Sequence, residues 1–416
     1  MSEPQPAPAL PASRRCPHRP RPRAGLITTR LPGLAAATVL LAALLGGCAT
    51  APPALAPATR LLHDQFFGSP AEAPNPGAVF AMSTAMRRFA DEARSAARGR
   101  HDLRRSLVDA LTARDQLQLD YDDGRTRNAA EAFDRRAGNC MSLVLMTAAF
   151  AKYLDLPLRY QNVQVRPLYS RGNDLTLVSG HINIVLSSRQ SSPLRDMGLV
   201  DELTVDFVPL NDLRGVSVRI LEENTVLAMY LNNRAAETLA AGQTDDAYAW
   251  TRAAVHQDPR YLPAVNTLAV VYLRAGHVAA AEAALRHVLA HNPEDEAALT
   301  NLVSTLRKAG RSTEADQAAA VLTRLQPHPP FHFLDLGRQA LQAGRVDEAH
   351  ALIQRELQRQ PFQHEAHYWA AVVDAARGDA RAAEKHLRLA VEHSGNPQQQ
   401  ARYSAKLWSL QAPASD

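Results

Sequence analysis

Glycine recurs along the second half of this 416-residue chain at a fixed step of 34: Gly242, Gly276, Gly310, Gly344 and Gly378. Five residues after each stands an alanine: Ala247, Ala281, Ala315, Ala349 and Ala383. Pro259, Pro293, Pro327 and Pro361 keep the same step. Three series in phase describe one unit of two antiparallel helices. The glycine makes the tight turn between them. The alanine lets them approach closely, and the proline ends the second helix. Such a unit cannot bury its apolar face alone, so the units must stack. An all-α solenoid of five units is therefore predicted over 228–397. In the fifth unit Gly395 takes the place of the closing proline. Residues 398–411 read as a capping helix, with Ala401, Leu407 and Leu410 on one side of Gln398–Leu410, and 412–416 as a tail.

This pattern resembles the tetratricopeptide repeat. The resemblance implies a protein or peptide partner in the concave groove lined by the first helix of each unit. That face is expected to include Asn232, Asn266, Leu273, Arg307, Arg338 and Tyr368. The set is chemically mixed and does not name a partner class.

The opposite end of the chain reads as a leader. Six of the 46 Lys and Arg, but only one of the 42 acidic residues, fall within 1–47. The formal net charge of +4 thus belongs to the leader, and the remainder sits near −1. No nucleic-acid footprint is present, and no nucleic-acid partner is expected. The apolar run Leu34–Leu45 is too short to span a bilayer but suits a signal-peptide core. It ends in Leu45-Gly46-Gly47-Cys48, which resembles a bacterial lipobox. That resemblance implies acylation at Cys48 and a membrane partner through the lipid. With Ala49 following, it implies the outer membrane, facing the periplasm. Residues 48–74 are expected to form a Pro/Ala-rich tether behind the lipid.

Three cysteines occur: Cys16, Cys48 and Cys140. With the first in the leader and the second acylated, Cys140 is the free thiol, and a multi-cysteine metal site is excluded. Cys140 follows the turn residues Gly138 and Asn139 and opens an apolar stretch with Leu143, Val144, Thr147, Phe150, Ala151 and Leu154 at helical spacing. A thiolate is favoured at a helix N-terminus, where free N–H groups and the dipole converge. Helices are also expected at 79–98, 101–112 and 125–136. After Pro157 a strand-like run begins, and 174–186 alternates as a strand, with His181 and Asn183 on one face. The next strand, 203–208, carries Asp206 on the side opposite Leu203, Val205 and Phe207. A cysteine nucleophile needs a base and a group to orient that base, and Cys140, His181 and Asp206 supply them in that order.

The stretches EAFDRRAGNCMSLVLMTAAFAKYLDLPLRYQNVQV, GHINIVL and LTVDFVP resemble the bacterial transglutaminase-like superfamily. The resemblance implies a papain-like α+β domain over 75–215, joined by a connector at 216–227 to the all-α repeat solenoid. It implies Cys140 as nucleophile, His181 as base and Asp206 as the orienting acid. Met141, Ser142 and Asn183 stand where many members carry acidic or aromatic residues, which sets this chain apart from the protein-crosslinking enzymes. An oxyanion hole would use the Cys140 N–H with Gln161 or Asn162 as a further donor. No calcium loop, P-loop or dinucleotide fingerprint appears, so neither metal nor cofactor is expected. Two functions remain open at this level. One is a lipid-anchored cysteine peptidase, amidase or acyl-transfer enzyme. The other is a non-catalytic assembly scaffold whose papain-like part only binds.

Overall fold

A computed structural model of the chain describes residues 56–97, 102–112, 117, 119–122, 124–172, 175–187, 202–207, 217–395 and 397–411. The expected leader at 1–47 with Cys16, the expected acylation site Cys48 and the expected tail at 412–416 lie outside the described residues. The part from Leu55 onward forms one unit. Among the described residues no helix is long and apolar enough to cross a membrane.

The N-terminal half is built around one buried helix. Helices α1 (Thr84–Ala96), α2 (Leu103–Thr112) and α3 (Ala129–Arg135) precede it, with the two-residue strand β1 (Asp120–Tyr121) between α2 and α3. Strand β2 (Ala137–Gly138) leads into α4 (Cys140–Tyr153). Every residue of α4 from Met141 to Ala151 is buried, so this helix is covered on all sides rather than along one stripe. Its two buried hydroxyls are bonded locally: Thr147 donates to the Leu143 carbonyl and Ser142 to Asn139 Oδ1. Phe89, Phe133 and Phe150, one each from α1, α3 and α4, form a cluster of tilted and edge-on rings. Each fully buried large apolar side chain here contributes about 1.5–3 kcal/mol.

The helices are narrower than the sequence predicts, and caps explain why. Ser83 accepts from the Met86 N–H and starts α1 at Thr84 rather than at 79. Asn128 and Glu131 exchange a reciprocal capping box that starts α3 at Ala129 rather than at 125.

A four-stranded antiparallel sheet follows, in the order β5-β4-β3-β6, from β3 (Leu158–Gly172), β4 (Leu175–Ser187), β5 (Glu202–Val205) and β6 (Ser217–Leu221). Ile182, Ile184 and Leu186 of β4 join the same core as α4. Strand β6 corrects the expected connector at 216–227. It is an edge strand on β3, and its Val218 and Ile220 are exposed while only Leu221 at its end joins the core.

Helix pairs then repeat five times: α5 (Glu223–Ala240) with α6 (Thr244–Gln257), α7 (Leu262–Arg274) with α8 (Val278–His291), and α9 (Glu296–Lys308) with α10 (Ser312–Leu325). After these come α11 (His332–Gln342) with α12 (Val346–Arg359), and α13 (His364–Ala376) with α14 (Ala380–His393); α15 (Pro397–Gln411) packs on α14. The glycines between paired helices have φ between 75° and 87°, which a side chain would strain. All five alanines of the series are fully buried.

Two features depart from a string of independent modules. First, the first repeat is fused to the N-terminal half. Helix α5 begins at Glu223, and that carboxylate accepts from Lys152 of α4 and Tyr160 of β3. One apolar core runs without a break from Ala58 through α4 and the sheet to Ala315. A separate core begins at Phe331. Between them α10 buries only Ala315, and the chain passes through Pro327, Pro329 and Pro330 to Phe331, whose φ is 64°.

Second, the expected tether at 48–74 is not a tether where it is described. From Ala58 it straps across the first two repeats. The Tyr272 hydroxyl donates to the Leu61 carbonyl at 2.7 Å and accepts from the His63 N–H at 3.0 Å. Tyr248 donates to Asp64, and Asp245 and Asp246 accept from the Gly68 and Ala71 N–H groups. Phe67 stacks on Tyr248, and Phe66 stacks on His277. The aromatic pair and Leu61-Leu62 drive this docking against the Pro/Ala composition around them.

The register of the repeats gives a direct test. Ala281 lies in a helix contact, whereas Ala279, on the same helix, is exposed. Glu282 is no solvent-facing control, because it pairs with Arg286 and Arg311. Ala281→Leu is expected to lower stability by about 1–3 kcal/mol through overpacking, and Ala279→Leu by under about 0.5 kcal/mol. Equal thermal unfolding midpoints would show the register to be wrong.

Candidate functional site

Cys140 occupies the first position of α4, and the residues before it are shaped to put it there. Gly138 lies so close to the helix that a Cβ there would stand 2.6 Å from Ser142 Cβ. Asn139 is the N-cap, and its Oδ1 accepts from the Ser142 N–H at 2.9 Å. Strand β1 pairs in parallel with β2 and steadies the approach, with the Asp122 N–H bonded to the Gly138 carbonyl. Cys140 itself is partly buried and is the free cysteine among the described residues.

His181 comes from β4 and is 5% exposed. Its Nε2 lies 2.8 Å from Asp206 Oδ2. A carboxylate only accepts, so Nε2–H donates and Nδ1 is the nitrogen left for Cys140. The thiol approaches closely enough to act on the ring's ionisation. Asp206 sits one residue beyond β5, not on a continuing strand, and pairing of Ile184 with Val205 brings it beside Asn183. Asn183 Nδ2 donates to the same Oδ2 at 3.2 Å. The structure thus brings Cys140, His181 and Asp206 together and adds Asn183 as a second donor to the carboxylate. Asn183 Oδ1 is buried and has no partner among the described residues.

The two oxyanion candidates part company. In the β3–β4 register Gln161 pairs with Asn183, and Asn162 pairs with Ile182. Cross-strand partners share a face, so Gln161 lies on the face of His181 and Asn183, whereas Asn162 lies on the other. The reason is the two-residue period of the strand, which the sequence shows only once the register is known. No group of three or more metal-ligating side chains occurs among the described residues.

Burial by itself would lower the basicity of His181. The hydrogen bond to Asp206 and the nearby Cys140 outweigh it and raise the imidazole from 6.5 to about 9. A histidine held above its unfolded value stabilises the fold fully below about pH 6.5 and loses that contribution as the pH rises through about 9. Asp206→Asn removes the anion that holds the ring charged. The stability gap between wild type and Asp206→Asn is expected to be widest below pH 6.5 and to close toward pH 9 and above. Thermal melts across that range check it, and a gap independent of pH would contradict the charge pairing.

Residues 238–304 and 334–398 each match a tetratricopeptide repeat family. No curated protein matches the chain. Among solved structures, the chain is similar to PilF of Pseudomonas aeruginosa at 20% identity, over 45% of this chain and 94% of that one, with a TM-score of 0.26. It is also similar to a thermophilic TPR protein of Thermus thermophilus at 21% identity, over 44% of this chain and 99% of that one, with a TM-score of 0.27. The family matches, the 34-residue period and the five stacked helix pairs agree: the C-terminal region of this chain is a tetratricopeptide-repeat solenoid, an architecture that presents surfaces to protein partners.

Proposed function

We propose that the N-terminal half is a papain-like, transglutaminase-like domain that breaks or exchanges amide bonds through a thioester on Cys140. The observation that carries this reading is His181, buried, bonded to Asp206 and near enough to Cys140 for the thiol to act on the ring's ionisation. The Cys140 sulfur attacks the amide carbonyl, and the C–N bond breaks as His181 gives its proton to the leaving amine. Water or a second amine then attacks the thioester, passes a proton to His181, and releases the thiolate. Water gives hydrolysis and an amine gives transamidation. Asp206 keeps the ring oriented through both steps. The Cys140 N–H and Gln161 are the oxyanion donors in this scheme. The repeats hold a protein partner or part of the substrate. The lipobox-like Leu45-Gly46-Gly47-Cys48 supports attachment through acylated Cys48, facing the periplasm from the outer membrane.

The scaffold reading keeps one specific support. Asn183 stands where an aromatic pocket residue is usual in this resemblance, and the repeats alone suffice for assembly work.

The two readings separate on thiol reactivity. In the full-length protein, iodoacetamide labelling of the Cys140 peptide is followed by mass spectrometry at pH 7. His181→Ala is expected to slow labelling by about tenfold or more. Asp206→Ala is expected to slow it less, with the fold retained. Labelling of His181→Ala at the wild-type rate would remove the catalytic reading and leave the scaffold.

A further inference from the structure

The N-cap of the nucleophile's helix does not stand alone. Asn139 Oδ1 serves Ser142, while its Nδ2 donates to Thr126 Oγ1 at 2.8 Å. Thr126 is 1% exposed, and its own N–H is bonded to Glu237 Oε1 at 2.7 Å. Glu237 lies on α5, the first helix of the first repeat, 111 residues along the chain. Its other oxygen accepts from Arg234 Nη1 at 2.7 Å. Arg234, itself buried, reaches Glu72 of the N-terminal strap at 3.4 Å and lies over the Trp250 ring.

We propose that Glu237 is a positioning residue for Cys140, so that the first repeat and its strap set how the thiol meets His181. The inference rests on the reading of Cys140 as the nucleophile. Its physical basis is that an amide serves two partners at once. Asn139 presents Oδ1 to the helix start only while Nδ2 is held by Thr126. Thr126 is held in turn by a carboxyl group that burial pushes above the usual carboxylate range, against the bonds from Thr126 and Arg234 that draw it down. Remove that carboxylate and the Thr126 N–H is left buried without a partner. The loop then shifts, the Asn139 amide is free to turn, and the first residue of α4 moves with it. The repeat array is in this view part of the site's supporting structure. A partner that tightens or loosens the first repeat changes thiol reactivity without touching the thiol.

The test uses the full-length protein and the Cys140 labelling assay at pH 7, with thermal unfolding measured alongside. Glu237→Ala is expected to slow labelling by about threefold or more while the protein stays folded. Glu237→Gln keeps an acceptor for the Thr126 N–H and is expected to restore the rate to within about twofold. If Glu237 acts through the cap, Glu237→Ala combined with Asn139→Ala slows labelling no further than Asn139→Ala alone. Independent multiplication of the two effects overturns the proposal, as does a folded Glu237→Ala with wild-type labelling. Should Glu237→Ala fail to fold, Thr126→Val cuts the same chain one link closer with a side chain of the same shape. It must slow labelling, and an unchanged rate overturns the proposal. His181→Ala in the same assay separates the two ideas. If it labels like wild type, the site reading itself falls. If it slows while Glu237→Ala does not, only the coupling falls.

Discussion

The burial of α4 on every side is the constraint on which the rest of the molecule depends. A helix covered all round meets polar groups only at its two ends, and Cys140 stands at the first of them. The apolar body of the helix fixes its axis through contacts with α1, α3 and the sheet. What the core cannot set is the orientation of the first turn, because no apolar packing reads hydrogen-bond direction. That task falls to Gly138, which admits a close approach, and to Asn139, which supplies the missing acceptor.

The same division of labour holds across the sheet. Ile182, Ile184 and Leu186 lock β4 to the core, and the alternation of the strand then turns His181 and Asn183 to the other face. Asp206 takes bonds from both of these side chains. Burial works against the charged imidazole, and Asp206 with the nearby Cys140 outweighs it and holds the ring above its ordinary value. Packing decides where these groups stand, and electrostatics decides which form they take.

Much of this was legible in the residues. The 34-residue step of Gly and Ala gave the repeat register, since each position answers a local steric demand. The order Cys140, His181, Asp206 on helix, strand and strand also followed from local period and turn signals, although the last strand stops one residue short of Asp206. What could not be read were bonds between distant segments. Thr126 and Glu237 carry no mark that they meet, and neither do Asp64 and Tyr248, which are 184 residues apart. The segment before residue 75 looked like a linker because its composition is dominated by Pro and Ala, while four residues, Leu61, Leu62, Phe66 and Phe67, decide its fate. Strand β6 escaped because an exposed edge reverses the usual meaning of apolar alternation. Asn162 and Gln161 were indistinguishable until the pairing register assigned each a face.

The interruption of the apolar core between Ala315 and Phe331 has a bearing on how such a chain can change over generations. Repeats four and five rest on two smaller cores of their own, joined to the remainder through a proline-rich passage. Substitutions there are paid for locally and leave the packing around Cys140 alone. A change at the far end of the array can therefore be absorbed without disturbing the near end, which shares its core with the Cys140 helix.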